Sequence, residues 1–357
     1  MSAPPATEAE TLAGLLARLC PRRRIDLAGA VSLPRVLPHA DAFRGWLAAG
    51  RHGELSYLAR DPAGRLDPLR QRPWARCVLV FGQRYVAGWR ADDPAPWAGA
   101  AAGRPWIDGV ARYARGRDYH DVLRADVKAV LDGLREALGP LRAHVAIDTG
   151  PYLEREYAWL AGLGFFGRNT CLIHERLGSG LFLGLVVTDL AVAGLPPSGE
   201  AAAAPLWSVA PRPEGAGDGA SRCGGCRLCV EACPTGALDG AFGLDARRCL
   251  SAWTIERRGP APAGQEEAAG TLVFGCDICQ AVCPWNRRAA REATSAPPPR
   301  DAYAADPAHG ELDLEGLAAL DDAEFARRFR RSPLWRARPD GLRQNALAAL
   351  RARERAP

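Results

Sequence analysis

The stretch Cys223-Gly-Gly-Cys226-Arg-Leu-Cys229-Val-Glu-Ala-Cys233-Pro234 decides the fold of this part of the chain. Its spacing, C-x2-C-x2-C-x3-C-P, is the one with which bacterial proteins bind [4Fe–4S] clusters, and the fourth cysteine of such a run binds the other cluster when two are present. Two residues between thiolates let them wrap one corner of a cubane, and the proline turns the chain away. The stretch therefore predicts an iron–sulfur module.

An incomplete second copy, Cys276-x2-Cys279-x3-Cys283-Pro284, lies further along the chain. It lacks one leading cysteine, which Cys249, 27 positions before Cys276, can supply. Because the last cysteine of each run crosses over, we expect two tetrads of ligands. Cluster one takes Cys223, Cys226, Cys229 and Cys283, and cluster two takes Cys233, Cys249, Cys276 and Cys279.

A pair of zinc sites is the alternative interpretation, because C-x2-C knuckles also bind zinc. Zinc modules do not need the x3-Cys-Pro ending, which favours the clusters. Two [4Fe–4S] clusters transfer electrons and bind no substrate themselves. The sequence therefore predicts that another part of the chain receives the electrons.

The composition is that of a folded protein with an unusual number of cysteines. The chain has 357 residues, of which 48% are apolar and 24% charged, so we expect two or three domains and exclude a largely disordered chain. No apolar run reaches the roughly 18 residues that cross a bilayer, and the acidic start MSAPPATEAE does not resemble a secretory signal. We expect a cytoplasmic protein without a membrane partner. An odd count of 11 cysteines indicates metal ligands rather than disulfides.

The positive charge is carried almost entirely by arginine. The chain has 46 lysines and arginines against 41 acidic residues, and Lys128 is the single lysine. A GC-rich genome that encodes arginine in place of lysine is the plain explanation, and recognition of phosphate or carboxylate by planar guanidinium groups is the functional one. Composition does not separate the two. The C-terminal region holds a dense share of these residues: Arg327, Arg328, Arg330, Arg331, Arg336, Arg338, Arg343, Arg351, Arg353 and Arg355.

The pattern along the chain predicts three regions joined by a linker. Residues 1–195 alternate helical and strand-like segments and form an α/β or α+β domain. Residues 196–220 are an Ala, Gly and Pro-rich linker, residues 221–290 form the cluster module, and residues 300–357 form a helical, basic region. The predicted strands are Cys77–Phe81, His144–Asp148 and Leu181–Val187, the predicted helices are 8–19, Tyr119–Leu138 and Pro151–Leu163, and 86–110 and 191–222 are long loops.

Several segments resemble one family, the epoxyqueuosine reductases, which are cobalamin-dependent iron–sulfur enzymes of tRNA modification. They occur in the family's order over about residues 25–350. The segments are Tyr113–His120 (YARGRDYH), Asp148–Glu156 (DTGPYLERE), Ala161–Thr170 (AGLGFFGRNT), Arg248–Glu256 (RCLSAWTIE) and Gly275–Asn286 (GCDICQAVCPWN).

The resemblance implies a substrate, a cofactor set and partners. Members of the family reduce the epoxide of epoxyqueuosine at the wobble position of a tRNA anticodon to queuosine, with cobalamin and electrons that the two clusters deliver one at a time. For this chain it implies an N-terminal cobalamin-binding domain, a ferredoxin-like cluster domain and a tRNA carrying epoxyqueuosine. It also implies an electron donor such as a flavodoxin or ferredoxin system. We expect a monomer whose basic tail and cluster module meet the RNA.

Asp148 is the position on which the family's general acid falls. It ends a predicted strand and precedes Thr149-Gly150-Pro151, where we expect a helix to begin, and such junctions are where α/β folds place ligands. A carboxyl partly desolvated beside a corrin could keep its proton and donate it to the epoxide oxygen. From the residues alone an N-cap is the plainer interpretation. The resemblance favours the proton donor.

The family pattern places eight further residues near the corrin or the substrate. From the residues alone, His120 fits a helix start, the segment 164–169 fits a structural hairpin, and the hydroxyls after Cys249 fit a helix cap. The chain departs from the family at Arg168, where lysine is usual, and at Ala252-Trp253, where tyrosine-leucine is usual. The eight residues are Tyr113, Asp118, Tyr119, His120, Arg168, Asn169, Ser251 and Thr254.

Two other functions remain open from the sequence. The first is a corrinoid iron–sulfur reductase of a small molecule, similar to the reductive dehalogenases. Those enzymes usually carry a twin-arginine leader, whereas Arg22-Arg23-Arg24 is followed by Ile25-Asp26 and not by an apolar core. The second is a two-cluster electron carrier, against which the roughly 200 residues before the clusters argue.

Three cysteines lie outside the two tetrads. Cys77 and Cys171 stand in apolar segments, and we expect both to be buried small hydrophobic residues. Cys20 precedes a proline and has no predicted role.

Overall fold

The computed structural model describes residues 11–89, 106–191, 222–262, 264–292 and 298–355. The acidic N-terminal stretch, the linker 196–220 and most of the loops predicted at 86–110 and 191–222 lie outside these residues. The strands are β1 (Leu27–Ser32), β2 (Cys77–Arg84), β3 (Ala143–Ala146), β4 (Phe165–Phe166), β5 (Leu172–Ile173) and β6 (Leu181–Thr188). The helices are α1 (Leu12–Leu19), α2 (Ala40–Ala48), α3 (Pro62–Leu66), α4 (Tyr119–Leu138), α5 (Glu154–Leu160), α6 (Leu228–Glu231), α7 (Leu250–Glu256), α8 (Gln265–Ala269), α9 (Ile278–Ala281), α10 (Pro284–Glu292), α11 (Leu314–Ala318), α12 (Asp322–Phe329) and α13 (Arg338–Arg355).

Four strands form an antiparallel sheet in the order β1-β2-β6-β3. β2 is buried along its whole length and pairs with β1 and β6 on its two sides. β3 is an edge strand that pairs with β6, from Ala143 opposite Thr188 to Ala146 opposite Leu185. Because every pair is antiparallel, the N-terminal domain is of the α+β type, and a short hairpin of β4 and β5 lies outside the sheet.

Successive residues of β2 point to opposite faces of the sheet and enter two cores. Leu79 and Phe81 pack against α1 and α4 on one face. Val78 and Val80 pack against α5 on the other face. This two-sided burial explains why the segment is apolar throughout rather than alternating with polar residues.

The predicted elements of this domain are confirmed with one exception. The helix Tyr119–Leu138 and the three predicted strands are present, and α1 lies within the predicted helix 8–19. The helix predicted from Pro151 begins at Glu154 instead, and its N-cap is Leu153. Asp148 therefore lies six positions before the helix and cannot cap it, so the N-cap interpretation is wrong.

The C-terminal region is helical and packs onto the domain that precedes the clusters. Its core of Phe325, Phe329 and Leu342 encloses Trp106 and Val110. None of the described helices is long and apolar enough to cross a bilayer.

The arginines of the C-terminal region are largely neutralised by neighbouring carboxylates. Residues 298–355 contain 11 arginines and 10 acidic residues, and eight of those arginines form an ion pair. The expectation of a basic tail is therefore wrong for its net charge, because the intervening sequence supplies nearly as many carboxylates. The pairs are Arg300–Asp126, Arg327–Glu324, Arg328–Glu324, Arg336–Glu256, Arg343–Asp322, Arg351–Glu266, Arg353–Glu315 and Arg355–Glu266.

Non-cysteine residues of the second cysteine run join the cluster module to the N-terminal domain. The buried carboxylate of Asp277 accepts the backbone N–H of Arg112 at 2.7 Å. The Gln280 side chain accepts the Ser179 hydroxyl at 2.8 Å. Asn286 is fully buried, accepts the Ser179 backbone N–H at 2.7 Å and donates to the Gln280 carbonyl at 2.7 Å. We call these three side chains and Ser179 the polar seam.

Gly178 lets the segment before β6 approach the second cysteine run at the polar seam. Its φ is +71°, and a Cβ built there would lie 2.2 Å from Asn286 Oδ1. Any other residue would displace the asparagine and strain the backbone. A glycine is therefore required at this close contact.

We expect the substitution Asn286→Ala to lower the free energy of unfolding by about 2–4 kcal/mol, because it leaves a buried N–H and a buried carbonyl without partners. The measurement is anaerobic denaturant unfolding of the chain with and without the substitution. Gln344→Ala, at an exposed position within α13, is the control and should change the value by less than about 0.5 kcal/mol. Equal effects of the two substitutions would show that the seam does not stabilise the fold.

Candidate functional site

The four cysteines predicted for cluster one line a single cavity of about 260 Å³. Cys283, from the second run, lies there beside Cys223, Cys226 and Cys229 of the first run. The donor set is all thiol, which fits an iron–sulfur cluster. Residues 222–227 around this cavity are exposed or half-buried. The other residues lining it are Arg168, Asn169, Ile173, Arg222, Pro284 and Trp285.

The four cysteines predicted for cluster two are all half-buried and influence one another. Burial raises the pKa of Cys276, and the negative charges of Cys249 and Cys233 add to the shift. Cys171 and burial, and then the charges of Cys276 and Cys249, raise the pKa of Cys279. These effects indicate that the second tetrad lies in one neighbourhood, although among the described residues no group of three such ligands is placed to hold a single metal ion.

The three spare cysteines differ from one another in the structure. Cys20 and Cys77 are fully buried, and burial raises the pKa of each thiol to about 12. The expectation for Cys77 is confirmed. The expectation for Cys171 is wrong, because Cys171 is half-buried and its thiol lies close enough to that of Cys279 to influence its pKa. Cys171 is thus a ninth thiol at the cluster module, contributed by the N-terminal domain.

Asp118, His120 and Asp148 lie beside one another just beyond the C-terminal end of β3, with His120 between the two carboxylates. We call these three residues the array. Asp118 caps α4 by accepting the His120 backbone N–H at 3.0 Å. The same carboxylate oxygen lies 2.7 Å from His120 Nδ1. His120 Nε2 lies 3.4 Å from Asp148 Oδ2, which is an ion-pair distance, and this buried nitrogen has no well-aligned hydrogen-bond partner among the described residues.

The array holds its proton on the histidine. Burial alone would lower the pKa of His120, but the hydrogen bond to Asp118 and the ion pair with Asp148 outweigh it and raise the pKa to about 9. The Asp148 side chain is largely exposed, and the adjacent charge of His120 holds its pKa below the usual range. The expectation that Asp148 keeps its proton when desolvated beside a corrin stays a prediction.

Glu154 holds Asp148 in an unusual backbone conformation. Asp148 has a φ of +55°, in the left-handed region that residues with a Cβ seldom occupy. Its backbone N–H donates to Glu154 Oε1 at 2.7 Å. Burial and the charge of Asp148 raise the pKa of Glu154 to about 8. The sequence analysis did not single out Glu154, although its position six residues after Asp148 in the same motif is a usable signal.

Two tyrosines form an aromatic wall beside the array. Tyr119 stacks on Phe182 with ring centroids 4.2 Å apart and an interplanar angle of 5°. Its other neighbour in the stack is His120, at 4.1 Å and 27°. Tyr113 meets Tyr119 edge-on at 6.1 Å. Four of the eight predicted contact residues, Tyr113, Asp118, Tyr119 and His120, therefore lie together with Asp148.

Residues distant in sequence complete the rim of this site. The charges of Glu256 and Asp148, after burial, raise the pKa of Tyr57 to about 12. The Arg336 guanidinium lies 5.8 Å from the centre of the Tyr57 ring and binds Glu256 with Nη2 at 2.6 Å. Arg65 donates to the Tyr57 carbonyl at 2.8 Å. Tyr57 and Arg65 were not predicted, and no local pattern in the sequence indicates that Arg336 reaches this site.

Three of the predicted contact residues form hydrogen bonds with backbone groups of the protein. Arg168 donates through both terminal nitrogens to the carbonyls of Gly240 and Gly224 in the cluster module. Asn169 is buried and donates to the Cys279 carbonyl at 3.4 Å. Thr254 is buried, donates to the Leu250 carbonyl and accepts the Gly275 N–H. These hydrogen bonds do not test whether the three residues also contact a corrin, so that expectation stays a prediction.

Ser251 is the remaining predicted contact residue. It lies half-buried at the start of α7, which begins directly after Cys249 and ends at Glu256. Its position on the helix that runs from cluster two toward the rim keeps it available to a bound group. The expectation for Ser251 stays a prediction.

Comparisons with known proteins agree on one family. The family model for a 4Fe-4S double cluster binding domain matches residues 222–286, and the model for epoxyqueuosine reductase QueG matches residues 65–149. Epoxyqueuosine reductase from Xanthomonas campestris pv. campestris is 35% identical over 339 residues, which cover 94% of this chain and 84% of the relative. The enzyme of the same name from Synechocystis sp. is 35% identical over 315 residues, covering 87% and 95%.

Solved structures of the same name share the fold. A selenomethionine-labelled epoxyqueuosine reductase superposes with a TM-score of 0.77 at 25% identity and covers 96% of this chain and 81% of that one. An epoxyqueuosine reductase with an epoxyqueuosine-modified tRNA-Tyr stem loop gives the same TM-score, identity and coverage.

The crossed assignment of the cysteines can be tested by counting iron. Two [4Fe–4S] clusters give about eight iron atoms per chain, and we expect Cys283→Ser to remove about four, as Cys226→Ser does, because both residues line the same cavity. The double substitution should lose no more than either single one. If the double variant instead lost nearly all of the iron, the two cysteines would belong to different clusters.

The charge on His120 has a consequence for stability against pH. With a pKa of 6.5 in the unfolded chain and about 9 in the folded protein, the imidazolium stabilises the fold fully below pH 6.5, and the contribution is lost as the pH rises to 9. We expect Asp118→Asn to flatten this dependence and to lower the pKa of His120 in a histidine NMR titration. A pKa for His120 that the substitution leaves unchanged would rule out the array as its cause.

Proposed function

This chain belongs to the epoxyqueuosine reductases, a family of oxidoreductases, and from that premise we propose that it reduces the epoxide of epoxyqueuosine at the wobble position of a tRNA to give queuosine. The overall change consumes two electrons and two protons: both C–O bonds of the epoxide break, a C=C bond forms, and the oxygen leaves as water. The proposal rests above all on the Asp118–His120–Asp148 array, which holds a proton beside a site that cluster two can reach.

We propose that cluster two is the one nearer to the reaction. Cys249 precedes α7, and Glu256 at the end of that helix binds Arg336 on the rim of the site. On the other side, a Cβ built at Gly275, the residue before Cys276, would lie 3.5 Å from Tyr113 Cε1. Cluster one lies among the exposed residues 222–227, where an external electron donor has access. Electrons then enter at cluster one and leave from cluster two.

Cobalamin is the group that the family implies between cluster two and the substrate, and the residues present fit it. Tyr119 and Tyr113 offer an apolar wall for a large flat ring, and His120 Nε2 is a buried polar atom without an aligned partner. Tyr113, Tyr119, His120 and Ser251 are the residues that we propose to contact the corrin. When bound, cobalamin supplies low-oxidation-state cobalt that can pass an electron pair to carbon.

The charges of the array indicate which group supplies the proton that the epoxide oxygen receives. At neutral pH, His120 is protonated and Asp148 is ionised. Asp148 is 61% exposed in its side chain and is the member of the array that an epoxide oxygen can approach. We propose that His120 passes its proton to Asp148, which delivers it to that oxygen, while Asp118 keeps the imidazole in orientation, and that the second proton comes from the solvent. Glu154 fixes the backbone from which Asp148 reaches out.

The proposed function is tested with protein purified anaerobically, reconstituted with iron and sulfide, and supplied with cobalamin and a low-potential reductant. We expect a tRNA that carries epoxyqueuosine to be converted to queuosine tRNA, as followed by nucleoside mass spectrometry. Asp148→Asn should lower kcat by 10²–10⁴-fold with cluster content and cobalamin binding retained. Glu136→Gln, an exposed change near the far end of α4, should have no effect.

Full turnover by Asp148→Asn would remove the aspartate from the mechanism. The pH profile separates the two acids: His120→Gln should shift the alkaline limit of kcat, whereas Asp148→Asn should lower kcat at every pH. A protein that holds both clusters and binds cobalamin but leaves the epoxide intact would contradict the proposed function as a whole.

A further inference from the structure

Arginines that no carboxylate neutralises lie near the open edge of the sheet. Residues 11–89 contain 13 arginines and only five acidic residues, against 11 and 10 in residues 298–355. At the edge strand β3, arginines from three segments approach His144. Burial first, and then the charges of Arg72 and Arg124, lower the pKa of His144.

Three arginines, Arg72, Arg124 and Arg142, form this edge patch. Arg142 is exposed, and its guanidinium lies 4.4 Å from the centre of the Trp74 ring. Arg124 donates to the Val145 carbonyl at 3.2 Å. Arg72 donates to the side chain of Gln71 at 3.3 Å. The described part of the chain places no carboxylate within ion-pair distance of these three guanidinium groups.

The groups around the edge patch do not neutralise its positive charge. Asp189 is the acidic residue at this end of the sheet, and its carboxylate accepts the backbone N–H of Arg142 at 3.0 Å rather than the guanidinium. The Tyr152 ring lies 6.2 Å from that of His144, and its buried hydroxyl has no hydrogen-bond partner among the described residues. Guanidinium groups beside an aromatic plate suit a phosphodiester with adjacent bases.

We propose that the edge patch of Arg72, Arg124 and Arg142 binds the phosphate backbone of the substrate RNA next to the nucleotide that enters the site. This inference rests on the proposed function. β3 leads from the patch toward the array and ends at Ala146, and at no more than about 3.3 Å per residue the four steps from His144 to Asp148 span at most about 13 Å. A nucleotide held at Asp148 therefore leaves the phosphates of its neighbours within reach of the patch.

An acidic protein is the other partner that a basic surface attracts, and the position of the patch argues against it. An electron donor has to approach cluster one, which lies among residues 222–227, and the patch lies at the edge of the sheet beside Asp148. RNA is the partner that has to reach Asp148.

The test measures how binding depends on salt. An anticodon stem–loop RNA with a fluorescent label, carrying epoxyqueuosine in one sample and guanosine in the other, is titrated with the reconstituted protein at several salt concentrations. The logarithm of the association constant falls linearly with the logarithm of the salt concentration, and each lost phosphate contact reduces the steepness of this line by about 0.7–0.9. We therefore expect the double variant Arg72→Gln/Arg142→Gln to bind both RNAs more weakly and with a slope reduced by about 1.4–1.8.

The C-terminal region supplies a matched control. Arg343→Gln/Arg351→Gln removes two arginines that already pair with Asp322 and Glu266, and it should leave the slope unchanged. Arg142→Lys keeps the charge and should keep the slope, which separates phosphate binding from packing on Trp74. Cluster content and thermal unfolding are measured for every variant to show that it is folded.

Two results would overturn the inference: an unchanged slope for the folded patch variant, or an equal loss of slope in the control. A patch variant that keeps its RNA slope but accepts electrons more slowly from an acidic donor protein would assign the surface to that donor. Failure of the proposed function is a different result, in which the unsubstituted protein leaves the epoxide of the bound RNA intact.

Discussion

The polar seam is the contact on which the rest of the site depends. Asp277 and Gln280 lie between the cysteines of the second run and Asn286 lies three positions after its last cysteine, so the segment that positions the ligands also fastens the module to the N-terminal domain. Buried polar groups specify one arrangement, because any other arrangement leaves donors and acceptors without partners. An apolar contact of the same area would permit sliding. Electron transfer to a fixed site requires the more specific arrangement.

The same constraint explains the strained backbone at Asp148. A left-handed residue with a Cβ costs free energy and persists only where its surroundings determine it. Here Glu154 accepts the backbone N–H, and His120 attracts the carboxylate. Both partners are themselves fixed, His120 by Asp118 at the start of α4 and Glu154 by its place in the first turn of α5. The aspartate is therefore held toward the cleft although its side chain is largely exposed.

The sequence predicted those features that depend on local spacing. The apolar periodicity of α4 and the unbroken apolar run of β2 are local patterns, and both elements are present; the two sets of cysteines remain a prediction, and their grouping around a cavity supports it. Contacts made across the fold could not be predicted in this way. Tyr57 and Arg336 meet because the C-terminal region folds back over α7, and the proton lies on His120 because two carboxylates face it from different elements. Arg168 and Thr254 illustrate the opposite case, since a family pattern gave their positions but not the partners that occupy them.

The arginines of the chain are of two kinds, those that pair with carboxylates and those that do not. In the C-terminal region, arginines and carboxylates alternate closely enough to pair, and exposed pairs of this kind contribute little to stability or to the long-range field. At the edge of the sheet, Arg72, Arg124 and Arg142 are set against aromatic rings, amides and carbonyls, which leave their charge intact. A polyanion responds to net charge and not to the number of arginines. The density of arginine in the sequence therefore does not by itself locate positive charge on the surface, because the distribution of carboxylates decides which arginines keep their charge.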